Sequence, residues 1–261
     1  MEAIDRTDRG KVRNLNEDYV GVFKKDHGDL LAVVADGMGG HLAGDVASKM
    51  ATERMEQLWN KEGKIETPEQ AERFFKEKIK QINYEIFKLA RENKDYQGMG
   101  TTLVASICTE KFVTVANIGD SRCYLINHSG MKQLTDDHSL VNELVKSGQI
   151  SKEDAEHHPR KNILLRALGT EKDVEVDLKT IGFEKGNYLL LCSDGLTNML
   201  TDREIEDVLL SERKLGEKAD YLIQRANDNG GVDNISLIIV YHHKEEKEEV
   251  GELHVNRKTD Q

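Results

Sequence analysis

Four times in this chain an apolar run that reads as a β-strand meets an aspartate beside a glycine or asparagine. The instances are LLAVVAD ending on Asp36 before Gly37, VTVANI before Gly119-Asp120, YLLLCSD ending on Asp194 before Gly195, and Asp233-Asn234 opening ISLIIVY. A fifth acidic pair, Glu17 and Asp18, closes RGKVRNLNED just before the strand-like YVGVF. Taken singly, each is an ordinary turn, because aspartate is a poor strand residue and Asp-Gly turns well. Taken together they constrain the fold more tightly, since strand ends of one sheet system can converge on one edge. Converging carboxylates repel unless positive charge lies between them. Hard divalent cations fill that role with oxygen ligands. No histidine or cysteine occupies these positions, so Mg²⁺ or Mn²⁺ is expected rather than zinc. Two such ions, ~3.5–4 Å apart, can hold a water, acidify it and aim it at phosphorus.

Strands are expected at 30–35, 100–108, 112–118, 121–127, 174–181, 188–192 and 235–241, all rich in Val, Ile and Leu. Between 100 and 134 they are joined by short turns, which implies antiparallel pairing. A helix is expected over 40–59, with Leu42, Val46, Met50, Met55 and Leu58 on one stripe. A second begins at Thr67-Pro68-Glu69-Gln70, where Thr67 caps, Pro68 suits the first position and Gln70 closes a capping box. Thr201 starts a shorter helix, and a last one is expected over 217–229. The segment 139–160 reads as two short polar helices broken at Gly148. Sequential hairpins argue against a doubly wound parallel sheet and for an α+β fold of layered antiparallel sheets covered by helices.

At 261 residues the chain suits one large domain, here 1–241, followed by a charged tail over 242–261. A net charge of −11 argues against a nucleic-acid binder, which needs a basic face. Cys108, Cys123 and Cys192 sit in apolar runs without metal-ligand spacing and read as buried free thiols. With no long apolar stretch and no signal-like start, a soluble cytoplasmic protein without membrane insertion is expected.

The stretch Asp36-Gly37-Met38-Gly39-Gly40-His41-Leu42-Ala43-Gly44 also follows a strand and opens a helix, as a dinucleotide-binding loop does. Its glycine spacing does not match Gly-x-Gly-x-x-Gly, and Asp36 would face a pyrophosphate. The next segment is a helix rather than a second strand with a terminal acid. The glycines instead let the backbone turn tightly beside Asp36.

RGKVRNLNED, VVADGMGGHLAGDVAS, GMGTTLV, NIGDSRCYL, DHSLVNELVKSGQIS, HPRKNILLRALG, LLLCSDGLTN and GGVDNIS resemble, in order, the motifs of the metal-dependent protein phosphatases, the PPM or type 2C serine/threonine class. The resemblance spans residues 7–241 and is greatest to the compact bacterial members. It implies a four-layer α-β-β-α sandwich, two antiparallel sheets flanked by helix pairs. It also implies two catalytic Mn²⁺ or Mg²⁺ ions, with Asp36 bridging both and the Gly37 carbonyl binding one. Asp194 and Asp233 would hold the other, with Asp18 beside it through water. Asp120, with Asp194, would bind a third ion, and Asn162 lies where some members add a contact. The partners implied are phosphorylated proteins, among them a bacterial Ser/Thr kinase, and nothing points away from a monomer.

Two residues are candidates for direct work on the substrate. Arg13 is either a salt-bridge partner of the acidic loop or, as the resemblance implies, a fork for two phosphate oxygens. His41 is either a surface or capping histidine or the acid that protonates the departing seryl oxygen. Glu17 orients water or ties down its loop, and Gly98, Gly100, Thr101 and Thr102 shape backbone near the site. His158, Arg160 and Lys161 belong to a segment matching the family's flap. The activity expected is hydrolysis of phosphoserine and phosphothreonine without a phosphoenzyme. The rivals are a hydrolase of small phosphoesters and a non-catalytic module of the same fold.

Overall fold

The structure, a computed structural model, describes residues 1–39 and 43–243. His41 and the charged segment from 244 onward lie outside them. The elements run β1 (Glu2–Asp8), β2 (Asp18–Lys24), β3 (Leu30–Met38), α1 (Ala43–Lys61), α2 (Pro68–Glu92), β4 (Gly100–Thr101), β5 (Leu103–Cys108), β6 (Phe112–Ile118), β7 (Arg122–Asn127) and β8 (Gly130–Gln133). They continue with α3 (Leu140–Lys146), α4 (Lys152–Glu156), β9 (Asp177–Gly182), β10 (Tyr188–Cys192), α5 (Asp194–Thr197), α6 (Asp202–Leu209), α7 (Leu215–Asp228) and β11 (Ile235–Tyr241).

All pairing is antiparallel, and the strands form two sheets. One has the order β1-β11-β10-β7-β8; the other has β2-β3-β5-β6-β9, with β4 added onto β3. Alternation along the strands sends one face of each sheet inward. Leu30, Ala32, Val34, Val104 and Val113 of the second sheet meet Cys123, Leu189, Leu191, Ile238 and Val240 of the first. The opposite face of the second sheet buries Leu31, Val33, Leu103 and Ala105 under Ala47, Met55, Trp59, Phe75 and Ile82 of α1 and α2. The outer face of the first buries Tyr124, Leu190, Leu237 and Ile239 under α5, α6 and α7. The architecture is the expected helix-sheet-sheet-helix sandwich. The three cysteines are buried free thiols, also as expected.

Local chemistry explains the helix starts. Thr67 accepts from the Gln70 amide while the Gln70 side chain returns to the cap, with Pro68 in the first turn. Thr201 and Glu204 form the same reciprocal pair ahead of α6. Ser139 caps α3, and Ser151 with Asp154 boxes α4. One buried polar side chain interrupts the apolar stripe of α2. Asn83 accepts from the Gly169 amide at 2.8 Å and donates to the carbonyls of Glu171 and Lys172, stapling the following loop to the helix.

Several boundaries differ from the sequence reading. The strand expected over 100–108 breaks at Thr102, whose hydroxyl is diverted to other partners. The strand expected from 174 begins at Asp177. β1 gave no apolar run, because it is a sheet edge with one partner and only partly buried positions. His242, expected to open the tail, is buried, with its ring stacked on Phe183 and hydrogen-bonded to the Phe183 carbonyl.

Replacing Thr67 with alanine removes a cap hydrogen bond and is expected to cost about 1 kcal/mol. Chemical denaturation should show this as a lower midpoint at unchanged slope.

Candidate metal centre

Five aspartates from both sheets gather at one edge of the sandwich. Asp18 opens β2 directly opposite Asp36 of β3 in the strand register. Asp194 and Asp233 come from the other sheet, one just after β10 and the other just before β11. Asp120 lies on the turn from β6 to β7, where the chain crosses from one sheet to the other.

Glycines allow these loops to touch. A Cβ on Gly195 would fall 1.9 Å from the carbonyl oxygen of Asn234, so the Asp194 and Asp233 loops meet backbone to backbone. A Cβ on Gly37 would fall 2.1 Å from the Gly44 carbonyl oxygen and 2.6 Å from that of Glu17. The Asp-Gly pairs therefore serve close approach as much as turning.

The loop over 9–17, which leads into Asp18, is held by Asn234. Its side chain accepts from the Glu17 amide at 2.8 Å and donates to the carbonyls of Arg9 and Leu15. Gly37 adds a backbone bond to the Glu17 carbonyl. Thr102 accepts from the Asp36 amide at 3.0 Å and shares a hydrogen bond with Ser121, next to Asp120. These residues were not singled out from sequence as supports of the aspartates, apart from Thr102 as a shaper of backbone. The asparagine following Asp233 was the one local signal.

The electrostatics are those of negative charges brought together. Burial pushes Asp18 up to about 7, against hydrogen bonds from Ser236 and Ser193, with the charges of Asp194 and Asp233 adding to the rise. Burial likewise takes Asp120 to about 7 and Asp194 to about 6, reinforced by Asp194 and Asp233 respectively. Asp36 is raised well above the usual carboxylate range, first by burial and then by Asp18, Asp194, Asp120 and Asp233. Its being within reach of all four charges is what defines the cluster's centre.

Each of three carboxylates leans on its own neighbour. Ser193 donates to Asp18 at 2.7 Å, Asn198 to Asp194 at 3.0 Å and Arg13 to Asp233 at 2.7 Å. Among the described residues no three acidic, histidine or cysteine side chains stand at the spacing of a closed metal cage. The fit to a cation rests on other observations. The second oxygen of Asp18 and Oε1 of Glu17 are buried without a hydrogen-bond partner, and the donors are all oxygens. Orphaned carboxylate oxygens among mutually repelling neighbours suit a hard divalent cation.

Of the two readings of Arg13, the ion pair with Asp233 is the one displayed. Its side chain is 49% exposed; burial works against its charge, and the charge and hydrogen bond of Asp233 together with the charges of Asp36 and Glu17 more than offset it. Arg122 is spoken for, forked onto both oxygens of Asp137. Asn162 is exposed on the loop after α4. His41 lies outside the described residues.

Comparison with known proteins agrees with this architecture. A family profile described as protein phosphatase 2C matches residues 9–234. The serine/threonine phosphatase stp of Listeria welshimeri is 51% identical over 240 residues, covering 92% of this chain and 95% of its own. The crystal structure of serine/threonine phosphatase Stp1 from Staphylococcus aureus superposes with a TM-score of 0.89 at 43% identity, over 93% of this chain and 95% of that one. The catalytic domain of the serine/threonine protein phosphatase PstP, solved with two manganese ions, matches at 33% identity and a TM-score of 0.79, over 91% and 96% of the chains. The chain belongs to the protein phosphatase 2C family. It is accordingly an enzyme, a phosphoprotein phosphatase.

Two measurements probe the site without substrate. Asn234→Ala removes three hydrogen bonds from the 9–17 loop and is expected to cost about 2 kcal/mol. Thermal unfolding should fall by roughly 4–8 °C. The second is pH dependence in the presence of chelator. Free aspartate titrates near 3.9, so the folded chain, with Asp18 and Asp120 near 7 and Asp194 near 6, binds more protons than the unfolded chain from about pH 4 to about pH 7. Stability from these groups is full at the acid end and is lost as pH rises through that window. Asp18→Asn should flatten this decline in denaturation midpoints; an unchanged slope would contradict it.

Proposed function

We propose that this chain hydrolyses phosphoserine and phosphothreonine in proteins, with Asp18, Asp36, Gly37, Asp194 and Asp233 holding two Mn²⁺ or Mg²⁺ ions. Asp120, with Asp194, would take a third. The observation that carries the reading is the gathering of five aspartates from both sheets around Asp36, in a chain half identical to a serine/threonine phosphatase. When bound, the paired ions supply Lewis acidity that makes hydroxide available at neutral pH for in-line attack on phosphorus.

The chain's own residues account for the rest. The Arg13 guanidinium has a planar set of N–H donors, and its ion pair with Asp233 keeps it beside the aspartates. That fork would suit two oxygens of the phosphoryl group, binding and orienting it, when Asp233 serves as an ion ligand instead. His41 is assigned the proton that the leaving seryl or threonyl oxygen needs. No side-chain nucleophile is required. By analogy with the relatives, the substrates include a Ser/Thr kinase and the proteins it phosphorylates. We also infer a monomer working in the cytoplasm, with 1–241 as one catalytic domain; no described helix is long and apolar enough to cross a membrane.

The test is turnover of a phosphothreonine peptide and of p-nitrophenyl phosphate, each with Mn²⁺ and with EDTA. Activity on the peptide is expected with Mn²⁺ and none with EDTA. Asp36→Asn should fold and lose at least ~10²-fold in kcat, as removal of a transition-state interaction does. Peptide hydrolysis that persists in EDTA, or in Asp36→Asn, would refute the assignment. Turnover of p-nitrophenyl phosphate alone would point to a small-phosphoester hydrolase instead.

A further inference from the structure

His138 belongs to none of the strand-end motifs, yet it is only 6% exposed and all four of its polar groups are engaged. Its amide donates to the Gly119 carbonyl at 2.9 Å, and its carbonyl accepts from the Leu165 amide at 2.8 Å. Its ring Nδ1 accepts from the Gly119 amide at 3.1 Å, and Nε2 meets Asp177 at 3.1 Å. Arg166 Nη1 donates to the other oxygen of Asp177 at 2.9 Å and stands 3.5 Å from Nε2, at the outer limit of a hydrogen bond and too far to compete with Asp177. The tautomer follows from the partners. A backbone amide only donates, so Nδ1 accepts, and the ring proton sits on Nε2, donated to Asp177.

The partner of this ring is the residue before Asp120. Gly119 has φ +106°, and a Cβ there would fall 2.6 Å from the Thr102 side chain. A residue with that freedom does not hold its peptide plane by itself. Thr102 walls the turn on one side, and His138 binds both the amide and the carbonyl of Gly119.

We propose that His138 is the positioning residue of the Asp120 turn: its Nδ1 holds the Ile118–Gly119 peptide while its backbone amide holds the Gly119 carbonyl, and the two together set the direction in which the Asp120 carboxylate enters the cluster. The inference rests on the reading of Asp120 as an ion ligand, and it gives a buried residue remote in sequence a share in metal affinity. Orienting partners of metal ligands commonly carry a 10–100-fold share of affinity or activity. A rival role is available from the same contacts. The ring could serve only to tie β9 to the base of the 139–165 segment, through Nε2, Asp177 and Arg166.

Two substitutions separate these roles, because asparagine places a polar atom near Nδ1 and glutamine places one near Nε2. Amide hydrogen exchange at Gly119, read by NMR on the chelated protein, needs neither metal nor substrate. Protection is expected to persist in His138→Asn and to drop about 10-fold or more in His138→Gln and His138→Ala. With Mn²⁺ and p-nitrophenyl phosphate, His138→Asn should stay near wild type. His138→Gln should lose ~10-fold or more in kcat and need more Mn²⁺ for half-maximal rate. The reverse order, with glutamine rescuing and asparagine failing, would overturn the proposal, as would full Gly119 protection in His138→Ala. If His138→Gln does not fold, His138→Asn decides alone, since loss of Gly119 protection there refutes the role. A wild-type protein without Mn²⁺-dependent turnover would sink the phosphatase reading, and Gly119 exchange would still decide what His138 does.

Discussion

Repulsion among clustered, largely desolvated carboxylates is the constraint around which this molecule is arranged. Placing Asp36 within reach of Asp18, Asp120, Asp194 and Asp233 is unfavourable, and the removal of water from around these groups raises the proton affinity of several of them. The fold tolerates this because each loop bearing an acid is held by bonds that do not involve the acids. Asn234 clamps the 9–17 loop, Thr102 bonds the Asp36 amide, and Gly195 lets two loops share a wall. The cost is met by ordinary packing elsewhere, chiefly the three apolar layers between and outside the sheets. The cluster is thus a local conflict imposed on an otherwise consistent structure.

That division explains what could be read from residue order and what could not. Strands buried on both faces announce themselves, and the runs over 112–118, 188–192 and 235–241 end where the apolar pattern ends. Helix starts with reciprocal caps at Thr67 and Thr201 are equally plain, because the chemistry lies within four residues. β1 was not legible, since an edge strand charged at Glu2, Asp5, Arg6 and Asp8 has no apolar run to show. The four-residue α5, starting on Asp194 itself, is too short to leave a periodic signal.

The site divides the same way. The five aspartates were legible because each sits at a strand end beside a small or amide residue, and the structure brings all five together. Their supports were not, because a serine, threonine or asparagine acquires its role only from a partner far along the chain. Ser193 lies 175 residues from Asp18, and Asn234 lies 217 from Glu17. Arg13 shows a third case: both candidate roles were visible in its chemistry, and the ion pair with Asp233 shows that one residue can hold the first while remaining suited to the second. His41 and the segment from 244 fall outside the described residues, so their expected roles stand on the family resemblance.

The seam between the sheets has one more consequence. Asp18 and Asp36 ride on one sheet, Asp194 and Asp233 flank strands of the other, and Asp120 spans the crossing. Any sliding of one sheet over its neighbour therefore changes the geometry of the acids directly, with no loop needing to move. The interdigitated layer of Val34, Val104, Leu191 and Ile238 acts as the bearing on which that alignment rests. Substitutions deep in this layer would be felt as a change in the spacing of the acids while the overall architecture stayed intact.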